Sequence, residues 1–287
     1  MQYARFRGRR TMAIKSQILT ADMPANAGSE IDRVTPTLCP QDRIVMRHNW
    51  YDLTFLHWIV PVEMLRPLIP AELEIDTYEG RAYVGLVPFT MRQVRPAWAP
   101  AFPPLSNFHE TNVRTYVHLH GRSPGVWFFS LDAANSIAVR VARRLWKLPY
   151  HFARMSLIHE RQIANLHRSS SLAPTVHYQS ERVWPGPVPA TCDLRCSPNG
   201  PVQPADVGTL EHFLVERYLL YAYRDRRLYC GQVHHTAYPL QTATVHRLQE
   251  KMSAAAGLRL PETAPIAHYA SAVQVLIFPL RAVSGVE

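Results

Sequence analysis

Glu110-Thr111-Asn112-Val113-Arg114-Thr115-Tyr116-Val117-His118-Leu119 alternates without a break. Thr111, Val113, Thr115, Val117 and Leu119 fall on one side, and Glu110, Asn112, Arg114, Tyr116 and His118 on the other. Successive side chains of a strand point to opposite faces, so a period of two over ten residues reads as a strand. A turn between Gly121 and Gly125 leads into Val126-Trp127-Phe128-Phe129-Ser130-Leu131, a second strand able to pair back antiparallel. The polar side of the first strand carries an acid, an amide and a guanidinium in register. It reads either as the wall of a polar cavity or as an internally paired Glu–Arg network.

Outward from this pair, strands are expected over residues 52–60, 74–77, 82–89, 151–158, 175–183, 218–223, 228–235 and 269–280. Pro61 opens a short helix with Val62, Leu65 and Leu68 at apolar spacing, and Pro70 closes it. Ile137, Val141 and Leu145 repeat every four residues and predict a helix over 133–146. Thr209 caps a helix over 211–217, and 241–256 reads as a helix closed by Gly257. The proline-rich stretches 95–105 and 185–207 read as loops, because proline lacks the amide donor that a helix or ladder needs. The result is an α+β chain, mainly β: a flexible tail over 1–42, then a single domain over 43–287 on a curved or closed antiparallel sheet.

Composition limits the function. The chain has 287 residues, 47% hydrophobic and 18% charged, which supports a sizeable core and argues against a mostly disordered chain. The net charge is +9, but Arg5, Arg7, Arg9, Arg10 and Lys15 concentrate much of it at the start. A nucleic-acid partner is therefore not expected, and a basic partner-binding module rests on charge alone. The acid-free start fits a transit peptide or a true start at Met12. There is no secretory signal and no apolar run of the ~18 residues that a membrane span needs, so a cytoplasmic protein without membrane contact is expected. Cys192 and Cys196 form a lone C-x3-C, and His118-x-His120 and His234-His235 lack further ligands; no metal and no cofactor are expected. The nucleotide-binding glycine motifs, the serine-hydrolase elbow and the zincin motif are all missing.

Arg143-Arg144-Leu145-Trp146-Lys147-Leu148-Pro149-Tyr150-His151 resembles the segment of acetoacetate decarboxylases that reads roughly Gly-Arg-Glu-x-x-Gly-Phe-Pro-Lys-Lys. Further blocks occur in order: Phe55-Leu56-His57-Trp58, Gly80-Arg81-Ala82-Tyr83-Val84-Gly85, the stretch from Glu110 to Val117, Trp127 to Ala133, Phe213 to Tyr218, and Val233-His234-His235. Together they resemble the DUF2071 family of YqjF-like proteins, which is in turn similar to the acetoacetate decarboxylase-like superfamily. That resemblance implies an antiparallel β-barrel or cone with a few flanking helices and an internal cavity for a small organic acid or carbonyl compound. It places Glu110 at the cavity glutamate and Tyr150 at the imine-forming lysine. A phenol with a pKa near 10 is no amine nucleophile, so Schiff-base chemistry does not carry over.

Glu110 and Tyr150 are the candidate catalytic residues, with Arg114, Asn112, Tyr116, His151 and Lys147 as candidate binding residues. Arg114 suits a carboxylate and Glu110 acid–base work. Tyr150 and His151 are neighbours on an extended strand, so only one faces the cavity; the resemblance selects Tyr150. Lys147 is a displaced amine or a helix-end cation. Two classes of function remain open: an enzyme of lyase or isomerase type that works without an imine, and a non-catalytic binder of the same ligand. A homo-oligomer of unfixed order is compatible with the scaffold.

Overall fold

The computed structural model describes residues 31–160 and 175–283. Among them are thirteen strands: β1 (Met46–Val60), β2 (Glu74–Ile75), β3 (Ala82–Pro96), β4 (Phe108–Leu119), β5 (Arg122–Ala133), β6 (Tyr150–Glu160), β7 (Thr175–Trp184), β8 (Thr191–Gln203), β9 (Leu219–Arg224), β10 (Arg227–His234), β11 (Leu240–Glu250), β12 (Ile266–Ile277) and β13 (Arg281–Ala282). Short helices flank them: α1 (Val62–Leu65), α2 (Pro103–Ser106), α3 (Ser136–Leu145), α4 (Leu210–Val215) and α5 (Met252–Ala255). The chain is thus mainly β, as the alternation in β4 requires. No helix among these residues is long and apolar enough to cross a membrane.

All thirteen strands join one sheet, which closes on itself. β1 pairs with β3, β3 with β4, β4 with β5, β5 with β9, β9 with β10, β10 with β12, and β12 with β1. These seven strands form a cone-like ring. The strands β6, β7, β8 and β11 continue from β5 round to β12 as a second lobe. β4 is the wall between the two lobes, and nearly every residue on both of its faces is buried. Val113 and Val117 belong to the core that reaches into the second lobe with Tyr178, Cys192 and Leu194. The opposite face of β4 looks into the seven-strand ring with Phe55, Val87 and Phe89.

Four segments differ from the sequence reading. Residues 241–256, expected as a helix, are strand β11 followed by α5; Gly257 at φ +81° does end that short helix. Ala, Leu, Gln and Glu favour helix weakly, and the ladder from β11 to β8 and β12 overrides that propensity. The stretch 185–207 contains the thirteen-residue β8, with Cys192, Leu194 and Cys196 buried at strand spacing. The C-x3-C is thus a strand face with free thiols, and burial pushes the Cys196 thiol up to about 11. The loop 95–105 ends in α2, which starts with prolines where their missing amide costs nothing. Helix α3 begins only at Ser136, because Asn135 caps it by accepting from the amides of Ile137 and Ala138.

Part of the expected tail packs against the sheet. Arg33 forms a two-pronged ion pair with Asp76, at 2.6 and 2.7 Å, and Gln232 and His234 reach the carbonyls of Pro36 and Thr37.

Candidate functional site

The seven-strand ring encloses a cavity of about 200 Å³. Alternation builds its wall: Phe108, Glu110, Asn112 and Arg114 are the inward positions of β4, and Val87, Phe89 and Met91 those of β3 beside them. Most of the lining is apolar. Helix α3 contributes Ala138, Val141 and Ala142, and Trp146, Leu148 and Tyr150 follow it. A small set of polar groups in an apolar concave wall is the usual form of a small-molecule site.

Glu110 is buried, and its Oε2 accepts a 2.9 Å hydrogen bond from the Tyr150 hydroxyl. Burial pushes the Glu110 carboxyl up to about 8, against the lowering effect of that hydrogen bond. Glu110 is therefore neutral at pH 7 and can donate a proton. Burial and the adjacent Glu110 hold the Tyr150 phenol well above its ordinary value. Tyr150 occupies Oε2, so Oε1 is the oxygen available to carry the acid proton.

Arg114 is also buried, yet no carboxylate lies within salt-bridge distance of it among the described residues. Its Nη2 donates to the Leu214 carbonyl at 3.2 Å, its guanidinium stacks near Phe55 at 5.6 Å, and its Nε has no partner among the described residues. Gly85 makes room for its stem: a Cβ there would stand 3.4 Å from Arg114 Cγ and 3.1 Å from the His57 ring. Beside it, Asn112 Oδ1 and Arg217 Nη2 are likewise buried without partners. Buried polar atoms are almost always satisfied, and each exception asks for an explanation. All three of these side chains line the same cavity.

Arg217 is not among the candidate site residues: in the sequence, Glu216-Arg217-Tyr218 reads as a structural ion pair tying helix to strand, in preference to a site role. The structure pairs it with Asp76 instead, at 2.7 Å, while Glu216 accepts from the Tyr218 hydroxyl and the Tyr238 amide. Asp76 is thereby shared by Arg33 and Arg217. Burial pushes the Asp76 carboxyl up, and the two guanidinium groups outweigh it and hold the group below its ordinary value. Trp50 and His48, further along the wall, also carry unpartnered ring nitrogens. Burial alone lowers His48 to about 4, so it is uncharged at neutral pH. Neither has a signal in the sequence beyond its place on β1.

Three sequence candidates lie away from this wall. Tyr116 points past it: its hydroxyl donates to the Leu214 carbonyl and lies 2.6 Å from His57 Nε2. His151 takes the other face of β6 from Tyr150, with Nδ1 2.7 Å from the Pro185 carbonyl. Lys147, at φ +58°, turns outward onto a shallow basic groove, where it donates to the Tyr229 hydroxyl at 2.7 Å. The structure thus brings together Glu110, Asn112, Arg114 and Tyr150 and adds Arg217. No group of three or more His, Cys, Asp or Glu side chains among the described residues is arranged to hold a metal ion.

The comparisons agree with this architecture. The DUF2071 family, described as an uncharacterized conserved protein, matches residues 47–274. The chain belongs to the DUF2071 family. It is 36% identical over 237 residues to the uncharacterized protein YqjF of Bacillus subtilis strain 168, covering 83% of this chain and 92% of that one. Among solved structures it is similar to an acetoacetate decarboxylase-like enzyme from Sphingomonas wittichii RW1 at TM-score 0.56 and 12% identity, over 84% of this chain and 93% of that one. It is also similar to the enduracididine biosynthesis enzyme MppR, complexed with the condensation product of pyruvate and imidazole 4-carboxaldehyde. There the TM-score is 0.57 at 13% identity, over 86% of this chain and 91% of that one. The fold of this DUF2071 protein is therefore acetoacetate decarboxylase-like.

Proposed function

We propose that the ring cavity binds a small organic acid, with its carboxylate on Arg114 and its reacting carbon beside Glu110 and Tyr150. The observation that carries this reading is the buried Arg114 without a carboxylate partner among the described residues, set in an apolar cavity beside the orphaned Asn112 and Arg217 atoms. Leaving a guanidinium buried and unpaired is expensive unless an anion completes it. The carboxylate of a ligand does so with charge-assisted hydrogen bonds. The fold relatives support the class, since MppR is described in complex with pyruvate.

Glu110 supplies the chemistry. A carboxyl held neutral at pH 7 is a general acid. Its Oε1 proton passes to a carbonyl oxygen or a nascent carbanion of the ligand. The carboxylate left behind keeps the Tyr150 hydrogen bond, and a proton from the ligand or water restores it. Enolisation, hydration–dehydration and decarboxylation without an imine all use this step. The position that the resemblance gives to the imine lysine is a phenol whose hydrogen is already committed to Glu110.

The test is a thermal-shift panel of keto acids, hydroxy acids and aldehydes on the full chain, followed by turnover assays. The expected result is a stabilising acid whose effect disappears in Arg114→Gln, and whose turnover collapses in Glu110→Gln while binding persists. Binding without turnover in the native chain would make it a carrier of that acid. No shift with any acid, from a well-folded protein, would sink the reading.

A further inference from the structure

We infer that the ligand of this cavity is a monocarboxylate with an apolar tail, bound head-inward with the tail directed toward α3; this rests on the Arg114 reading above. The first observation is length. The inward positions of β4 run from Phe108 to Arg114, roughly 20 Å at the rise of a strand.

The second observation is polarity along this length. Arg114 Nε, Arg217 Nη2 and Asn112 Oδ1 lie together without partners at one end. Glu110 and Tyr150 follow, bonded to each other. Beyond them Phe108 and Met91, paired across β4 and β3, then Ala138, Val141 and Ala142 of α3, give an apolar wall. The outer part of the cavity holds no unpaired guanidinium or ammonium among its described lining residues. Trp50 and the neutral His48 offer uncharged ring nitrogens on this side. They accommodate a hydroxyl or oxo oxygen on the chain, and they offer a second carboxylate nothing to offset its desolvation.

The third observation is the rim. Val141 lines the cavity and is also 44% exposed, and Ile137 and Leu145 of the same helix stripe are 51% and 63% exposed. The repeat that marks α3 in the sequence therefore faces outward, and Val139 is its buried residue. An apolar stripe continuous with the lining extends the surface on which a tail is removed from water.

Calorimetric titration of the full chain with straight-chain monocarboxylates of increasing length, alongside dicarboxylates of matched length, tests this. Each added methylene is expected to tighten binding about three- to fourfold until the tail reaches α3. The matched dicarboxylate binds far more weakly. Ala138→Phe shortens the length at which tightening stops, a readout that misfolding does not imitate. Affinity independent of chain length, or equal for the dicarboxylate, overturns the inference. If short keto acids nevertheless bind through Arg114, the broader reading survives; if no acid binds at all, both fall.

Discussion

The two faces of β4 place similar chemistry in opposite situations. On the odd face the hydroxyls are satisfied: Thr111 is 2.7 Å from the Tyr178 hydroxyl, and Thr115 donates to the Tyr83 carbonyl at 2.7 Å. Behind that face, on β5 and β7, Asp132 and Arg182 form a fully buried two-pronged pair, both bonds 2.7 Å long. On the even face Asn112 and Arg114 are just as buried, yet keep orphaned atoms next to open volume. A completed polar group in a core holds structure together, whereas an incomplete one beside open volume is free to take a ligand.

The largest break in this comparison is Asp132→Ala, which strands the Arg182 charge. It is expected to cost about 3–5 kcal/mol in denaturant unfolding, and an unchanged midpoint would contradict the buried pair. Next comes the pH dependence of Glu110. Its folded pKa, about 8, lies above the ordinary value of 4.5. Its contribution to stability is therefore complete below pH 4.5 and is lost as pH rises through 8. Glu110→Gln should remove this decline and exceed the native chain by a few kcal/mol at about pH 9. Parallel pH profiles for the two proteins would refute the raised pKa. Affinity for organic anions should fall over the same upper window in the native chain alone, because ionised Glu110 repels them.

A smaller effect is expected from Thr111→Val, about 1–2 kcal/mol in the same unfolding assay, since the Tyr178 hydroxyl loses an oxygen partner. The smallest, and opposite in sign, is Arg114→Met. Replacing an unpaired buried charge by an apolar side chain of similar length should leave the ligand-free chain unchanged or about 1 kcal/mol more stable. The same substitution should abolish anion binding. A loss of several kcal/mol would mean that Arg114 is a structural member like Arg182.

Much of this contrast is legible in the sequence. The alternation of β4 separates Glu110, Asn112 and Arg114 from Thr111 and Val113, and the resemblance around Pro149 points at Tyr150. Tyr116 shares their parity and still misses the cavity. Parity fixes a face, and the enclosing ring decides how far along that face the open space extends. Arg217 gives no local signal because its partner, Asp76, is 141 positions away, and a short-range pattern has no access to that distance. β8 is masked because Pro198, Gly200 and Pro201 imitate a loop, although Cys192, Leu194 and Cys196 keep strand spacing. β11 is masked by helix-favouring residues whose ladder partners lie elsewhere in the chain.

The double claim on Asp76 has a consequence for comparing relatives. Arg33 precedes the region shared across the family, which begins at residue 47, yet it takes up part of the one carboxylate that Arg217 contacts among the described residues. Remove Arg33, and Asp76 neutralises Arg217 more completely; under the proposed function, the cavity then attracts an anion less. Two proteins identical from residue 47 onward would then differ in that affinity, and the difference would lie before the stretch that the family match covers.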